Sequence, residues 1–161
     1  MIDKNQSIID YLITCPLVIE SPLYFNFINA KNDTKQLITE SNVKYLNRTY
    51  VDGSVLKQYQ CSIIDFRSIV DNAIVKQAGY DNENVEEFLN VQGLIEWIDE
   101  QNSVQNYPDF GEDCEVQEIR TTSENPNLDM IDASVTPALA KYSISIEVEY
   151  LDKSKVIWNN K

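Results

Sequence analysis

The sequence contains no histidine among its 161 residues. Histidine is the commonest general base of enzymes, a frequent zinc ligand and the base in Ser-His and Cys-His nucleophile pairs. Ordinary hydrolase and acyltransferase chemistry is therefore not expected. Glycine is scarce as well: Gly53, Gly79, Gly93 and Gly111 are isolated from one another. Without a glycine-rich loop to cradle phosphates, nucleotide binding is not expected either.

Cysteine occurs three times, at Cys15, Cys61 and Cys114. These spacings match no metal-binding or redox motif, and an odd number is unsuited to a disulfide framework, so we expect three buried free thiols. No apolar run approaches the roughly 20 residues that span a bilayer, and the first residues lack the basic start of a signal peptide. We expect a soluble, intracellular protein without a cofactor.

Positive charge is absent from one long segment. The net charge is −13, and residues 77–119 hold twelve acidic residues and no basic residue, whereas residues 1–76 hold eight of each. A field of this sign repels nucleic-acid phosphates, so specific nucleic-acid binding is not expected. The simplest interpretation of the segment is a solvated acidic surface.

Two carboxylate pairs within this segment are potential calcium ligands: Asp109 with Asp113, and Glu112 with Glu115. The surrounding loop lacks the regular alternation of oxygen donors of a dedicated calcium site, and no metal is expected. Hydrophobic residues make up 43% of the chain and aromatic residues 10%, as in globular proteins. No linker or internal repeat divides the sequence, which predicts a single domain over residues 1–161.

The N-terminal part of the chain predicts a helix and a strand. Apolar residues at helical spacing indicate a helix over residues 4–14, with Asp3 or Asn5 as its N-cap and Pro16 as its stop. Alternating bulky residues predict a strand over residues 23–28 with one strongly apolar face.

A polar connector over residues 31–42 follows, and then a β-hairpin. Its arms are residues 43–51 and 55–66, joined by Asp52-Gly53, a pair that tolerates the positive φ of a tight turn. Residues 69–74 show helical spacing, and an irregular joint is the alternative there.

The second half of the chain predicts one long helix and two strands. The helix covers residues 85–101, with Asn84 as its N-cap and Glu87 three residues on, a variant of the capping box. Strands are predicted over residues 114–121 and, from strict alternation of apolar and polar residues, over 142–150.

The long helix has two apolar sides. Its main stripe is formed by Phe88, Val91, Leu94, Ile95 and Ile98. Leu89, Gly93 and Trp97 form a second row, at i, i+4 and i+8. Either another element of the same chain covers this row, or a neighbouring subunit does.

A second apolar group lies in residues 123–137, which are interpreted as a long loop or a ragged hairpin. Leu128, Met130 and Ile131 form this group. Together with the row on the helix, they are the candidate subunit or partner interface.

Several segments in order resemble one protein family. They are Tyr50 to Gly53, the aromatic-rich arm ending at Phe66, Phe88 with Leu94 to Asn102, Tyr107 to Glu112, and Lys141 to Tyr150. In order and spacing they resemble the minor capsid or tail terminator proteins of tailed phages and prophages of Gram-positive bacteria. The resemblance extends over residues 45–151, and residues 1–42 match less clearly.

The resemblance implies an α+β fold, with a mostly antiparallel sheet and two or three helices packed against it. It implies a structural protein rather than an enzyme, one that forms a homo-hexameric ring on the end of the tail tube, stops its polymerisation and docks to the head connector. The implied partners are other copies of the chain, the tail tube protein and the head-tail connector proteins, with DNA passing through the ring. The implied location is the tail or neck of a virion, or of a prophage-derived tail particle.

Two other function classes remain open from the residues alone. The base-free acidic segment also suits a DNA mimic that occupies a nucleic-acid-binding protein, which predicts carboxylates spaced like phosphates along one exposed ridge. A hydrolase using carboxylates alone is the third hypothesis, because any acidic chain offers pairs of carboxylates.

Overall fold

The computed structural model describes residues 3–26, 31–39, 44–69 and 83–156. Within these residues the architecture is α+β, with three helices and a mostly antiparallel sheet of seven strands. This confirms the predicted fold class. The elements in chain order are α1 (Lys4–Leu12), α2 (Pro16–Ile19), β1 (Leu23–Phe25), β2 (Thr34–Thr39), β3 (Lys44–Thr49), β4 (Val55–Ser68), α3 (Glu83–Ser103), β5 (Cys114–Thr121), β6 (Asn127–Asp132) and β7 (Leu139–Asp152).

Two 14-residue strands, β4 and β7, form the centre of the sheet. They pair antiparallel along their whole length, from Val55 opposite Asp152 to Ser68 opposite Leu139. Strands β2 and β3 pair with the same edge of β4, each along a different part of its length. On the other side of the central pair, β5 and β6 pair in the same way with different parts of the outer edge of β7. Strand β1 adds to β2 in parallel.

One face of the central pair is apolar and carries the helices. Alternate residues of β4 and β7 point to opposite faces, as strand geometry requires. The core on the helical face is built from Tyr59, Cys61, Ile63, Ile144, Ile146 and Val148 of the sheet and from Ile8, Leu12, Val18, Val91, Leu94, Ile95 and Ile98 of the helices. The opposite face has polar cross-strand pairs, including Gln60 with Glu147 at 2.8 Å and Ser62 with Ser145 at 3.2 Å.

Most predicted elements are present with small changes in their bounds. The first helix begins after Asp3, whose carboxylate accepts a hydrogen bond from the Asn5 amide at 2.9 Å. The predicted strands over 114–121 and 142–150 are β5 and β7. The β3–β4 hairpin turns at Gly53, whose φ of 91° is a conformation that glycine adopts without strain.

The predicted N-cap of the long helix is wrong. Helix α3 begins at Glu83, so Asn84 lies within its first turn. Pro16 also differs from its predicted role: it opens α2, at a position where its missing N–H is not needed, instead of only ending α1. The strand predicted over 23–28 is three residues long within the described part, and Phe25 on it is 42% exposed.

The polar connector predicted over residues 31–42 is wrong. Its centre is β2, which pairs with β4 from Thr34 opposite Phe66 to Thr39 opposite Cys61. A search for alternating apolar residues does not detect this strand, because two of its buried residues, Lys35 and Gln36, are polar. Residues 27–28, 40–43 and 70–74, on which other predictions fall, lie outside the described residues.

The ragged hairpin is the correct alternative for residues 123–137. Strand β6 pairs antiparallel with β7, with a register shift between Leu128 and Met130. The cysteine prediction is correct for Cys15 and Cys61, which are buried free thiols, and wrong for Cys114, which is half-buried.

Candidate interaction surfaces

The second apolar row of α3 is divided between the chain's own packing and solvent. A Cβ placed on Gly93 would lie 3.0 Å from Leu17 Cδ1, and the Trp97 ring centroid lies 5.2 Å from that of Tyr11. The α1–α2 segment therefore covers these two positions. Leu89, in contrast, is 58% exposed. Of the three predicted interface residues on this helix, Leu89 is the one left open for a partner.

All three predicted interface residues on β6 are exposed. Leu128, Met130 and Ile131 are 52%, 53% and 49% accessible. Leu128 lies opposite Tyr142 and Ile131 opposite Ala140, both buried on the helical face. Met130 lies opposite Lys141, on the other face. The strand thus exposes apolar side chains on both of its faces.

Helix α3 and the β6 region are neighbours. The rings of Phe88 and Tyr142 make an edge contact, with their centroids 6.0 Å apart, and Leu128 is the cross-strand neighbour of Tyr142. One turn along α3, the Gln92 amide donates to the Glu124 carbonyl oxygen at 2.8 Å. Leu89 lies in the helical turn between these two contacts. The two predicted apolar groups therefore flank one region of the molecule.

A buried ionic cluster, which sequence reasoning missed, joins β2, β4 and α3. Arg67 donates to both oxygens of Asp65, at 2.9 and 3.2 Å, and forms an ion pair with Asp33, with Nη1 3.2 Å from Oδ1. Lys35 Nζ lies 3.6 Å from Asp65 Oδ2, and Glu87 on α3 lies 3.5 Å from Arg67 Nη1. Burial raises the pKa of Asp65, while Lys35 and Arg67 act to lower it. This cluster links β2 and β4 to α3.

Lys35 also donates to the Ser21 hydroxyl, at 2.6 Å. Serine–lysine pairs serve as nucleophile and base in some hydrolases, where the amine must accept the hydroxyl proton. Here Asp33 and Asp65 lie 3.4 and 3.6 Å from Lys35 Nζ, and Ser21 donates to the Leu17 carbonyl oxygen at 3.3 Å. The Ser21 hydroxyl thus accepts from Lys35 and donates to the backbone, which is a structural arrangement and not that of a nucleophile facing its base. The sequence signal for the cluster is the charged pair Asp65 and Arg67 at alternate positions of an apolar strand.

A cleft of about 480 Å³ lies where β5 begins and β7 ends. It is lined by Lys4, Phe110, Gly111, Glu112, Asp113, Cys114, Asp152 and Ser154. The Lys4 ammonium lies 5.8 Å from the Phe110 ring centroid and 5.3 Å from that of Tyr150, within the range of cation–π attraction. The protein's own lysine thus takes the place that a cationic ligand would occupy on these rings.

The four carboxylates proposed as two calcium pairs have separate environments. Glu112 and Asp113 line the cleft, Asp109 accepts from the Gly111 amide at 2.8 Å, and Glu115 forms an ion pair with Lys153. No group of three or more potential metal-ligating side chains occurs in the described parts of the chain.

The acidic segment is only partly a bare acidic surface. On α3 the exposed carboxylates are Glu86, Glu96, Asp99 and Glu100. On β5, basic residues from outside the segment pair with the acids: Arg120 lies 2.6 Å from Glu118 and Lys153 binds Glu115. Arg120 also reaches Glu147 on β7, at 3.2 Å. The carboxylates of β5 therefore do not form an unbroken row of free negative charge.

Among the helices of the described residues, none combines the length and the apolar character needed to cross a bilayer. A comparison of the sequence with models of known protein families finds no match, and a comparison with curated proteins finds none either.

Proposed function

We propose that this protein is a structural component of a phage or prophage tail, a terminator that forms a homo-hexameric ring on the tail tube, stops its polymerisation and docks to the head connector. The observation that carries the proposal is the exposed apolar strand β6 beside a helix with its own exposed apolar residue. Leu128, Met130, Ile131 and Leu89 are each about half exposed or more. Clusters of this kind in a folded domain mark contact surfaces rather than reaction centres.

A closed ring requires two different, complementary patches on each subunit, because every copy contacts its two neighbours through different surfaces. In the described part of the chain, β6 and the neighbouring Leu89 supply one such patch. Its complement has to be a different surface of the same subunit.

The charge of the chain also supports the proposal. Six copies of −13 give −78 for a hexamer. Carboxylates that line the bore of such a ring repel the phosphates of the genome, which keeps DNA from adhering as it passes. The exposed acids of α3 and of the loop before β5 are candidates for that surface.

The DNA-mimic alternative has less support. A mimic needs carboxylates along one continuous ridge, and the pairing of Glu115 and Glu118 with Lys153 and Arg120 interrupts such a row on β5.

The experiment is polymerisation of the tail tube protein from the same phage or prophage, with and without this protein. Negative-stain electron microscopy measures tube length and the occupancy of tube ends. We expect shorter tubes with a ring on one end, and a length that falls as the ratio of this protein to tube protein rises. Tubes of unchanged length with bare ends would contradict the proposal. Binding to a basic DNA-binding protein with steep salt dependence would support the mimic instead.

A further inference from the structure

We propose that strand β6 of one copy pairs with strand β3 of a second copy, so that the sheet continues from subunit to subunit. The inference rests on the proposed ring and specifies the contact that builds it. It follows from three properties: the free edges of the two strands, the exposed side chains of β6 and the charges of both strands.

Both strands are edges of the sheet. Strand β6 pairs with β7, and β3 pairs with β4, and within the described residues neither has a strand on its other side. The outer edge of β5 differs, because the Ile119 amide donates to Asn102 Oδ1 of α3 at 3.1 Å. An open edge presents unpaired N–H and C=O groups, which are a template for a strand of another chain.

The exposed side chains of β6 fit a strand as their cover. Leu128 and Ile131 project from the helical face and Met130 from the opposite face. A helix docked on one side would leave one of these faces open. A strand added at the edge places side chains beside both, through the cross-strand contacts that stabilise sheets.

Charge selects β3 as the partner. Strand β6 contains Asp129 and Asp132 and no basic residue, whereas β3 contains Lys44 and Arg48 and no acidic residue. Pairing β6 with β6, or β3 with β3, brings like charges together across the strands, which is destabilising. Pairing β6 with β3 brings opposite charges together, which favours that partner and speeds its encounter.

This pairing is head-to-tail, because it joins two different edges of the same subunit. Head-to-tail contacts give rings when the rotation closes and filaments when it does not, whereas a contact of β6 with itself would stop at a dimer. The charges of the two edges therefore favour the class of contact from which a ring is built. They also oppose the dimer that would compete with it.

The test is a charge exchange between the two edges, measured by light scattering coupled to size-exclusion chromatography. Asp129→Lys and Arg48→Glu are each expected to weaken self-association about tenfold, because attraction becomes repulsion at one cross-strand site. An equimolar mixture of the two variants is expected to recover association. In the mixture, the altered β6 of the Asp129→Lys variant pairs with the altered β3 of the Arg48→Glu variant, and the charges are again opposite. Lys155→Glu, which reverses an exposed charge beyond the end of β7 as Arg48→Glu does on β3, is the matched control and is expected to have no effect.

Thermal unfolding of each variant establishes that the fold is retained. Within the described residues Asp129 accepts one side-chain hydrogen bond, from Ser143 at 3.0 Å, and Arg48 is exposed. If the chain assembles only on tube ends, the same variants and their mixture are compared in the tube-length assay. Rings that form equally well with either single variant, or a mixture that fails to recover assembly, would overturn the edge pairing while leaving the terminator function standing. Stronger association of Asp129→Lys by itself would indicate β6–β6 pairing and overturn it too. Unchanged tube length with the unaltered chain is the separate result that counts against the function.

Discussion

Asp65 and Arg67 lie two residues apart on the buried face of β4, and their side chains form a two-bond ion pair, with Nε to Oδ1 at 2.9 Å and Nη2 to Oδ2 at 3.2 Å. The Asp65 side chain is 1% exposed and that of Arg67 10%. Lys35, 2% exposed, brings a second cation to the same carboxylate. Two buried cations therefore share one buried anion, and its removal leaves the more exposed Asp33 and Glu87 as their ion-pair partners among the described residues.

We predict that Asp65→Asn lowers the free energy of unfolding by about 3 kcal/mol, the cost of removing one partner from a buried ion pair. Asp33→Asn, which removes a 47% exposed carboxylate from the same cluster, is expected to cost less than about 1 kcal/mol. Urea denaturation of both variants at neutral pH measures the difference. Equal losses from the two substitutions would show that burial of Asp65 does not determine its contribution.

The contact between Gly93 and Leu17 leads to a second prediction. Gly93→Ala is expected to raise the free energy of unfolding by about 0.5 kcal/mol, because alanine favours the helix by about 1 kcal/mol and Leu17 must move slightly to admit the Cβ. Leu17 can move because it is 37% exposed. In a Leu17→Ala background the same substitution is expected to gain the full 1 kcal/mol. Chemical denaturation of the unaltered chain, the two single variants and the double variant completes this double-mutant cycle. A lower free energy of unfolding in Gly93→Ala would mean that Leu17 cannot move to admit the Cβ.

Sequence patterns located the elements whose stability comes from one apolar face. Strand β7 alternates buried and half-buried residues from Ala140 to Leu151, and the buried stripe of α3 includes Val91, Leu94, Ile95 and Ile98, as its spacing predicts. Strand β2 was not predictable in the same way, since Lys35 and Gln36 are buried in it through contacts with residues far away in sequence. A hydrophobicity pattern does not detect a residue that is buried because it is paired.

The candidate interface was only partly predictable for a related reason. The spacing of Leu89, Gly93 and Trp97 identifies one row on a helix, but not which members the rest of the chain covers. The α1–α2 segment covers Gly93 and Trp97 because its own stripe lies against the same helix. For β6, the composition of residues 123–137 predicted a segment outside the core. The exposed apolar side chains of the strand are consistent with that prediction.

The ion pair at the far end of the central strands leads to a prediction on pH. Burial acts to raise the pKa of Asp152, and hydrogen bonds from Lys57 and from Ser154 lower it to about 2. A carboxyl whose folded-state pKa is below the unfolded value of roughly 3.9 stabilises the fold above that value and loses its contribution as the pH falls towards 2. The Lys57 and Asp152 side chains are 19% and 18% exposed, so solvent screens the pair in part, and we expect a contribution of about 1 kcal/mol.

The measurement is the difference in unfolding free energy between the unaltered chain and Asp152→Asn, at pH values from 6 down to 2. The difference is expected to be largest at pH 6 and to vanish near pH 2. Lys57→Met is the control, because without the ammonium the pKa of Asp152 returns towards its ordinary value and the pH dependence of the difference moves upward. A difference that stays constant from pH 6 to pH 2 would contradict the assignment to this ion pair.

Leu89 and Trp97 are expected to respond differently to the same substitution. Trp97 packs against Tyr11 within the chain, so Trp97→Asp is expected to lower the free energy of unfolding by about 3 kcal/mol, and any loss of assembly would follow from the loss of fold. Leu89 is 58% exposed, and Leu89→Asp is expected to change the free energy of unfolding by less than about 0.5 kcal/mol. Assembly defects in Leu89→Asp therefore report on contacts between molecules.

We predict that Leu89→Asp reduces ring occupancy on tail tube ends while its thermal unfolding matches that of the unaltered chain. The carboxylate would be buried against a neighbouring molecule without a partner, which costs far more than its exposure in the free subunit. Leu89→Ala is the graded control: it removes apolar area without adding charge, and a smaller loss is expected. Full occupancy with Leu89→Asp would exclude the outer side of α3 from the contact, and the ring would then rest on β6 and its partner strand.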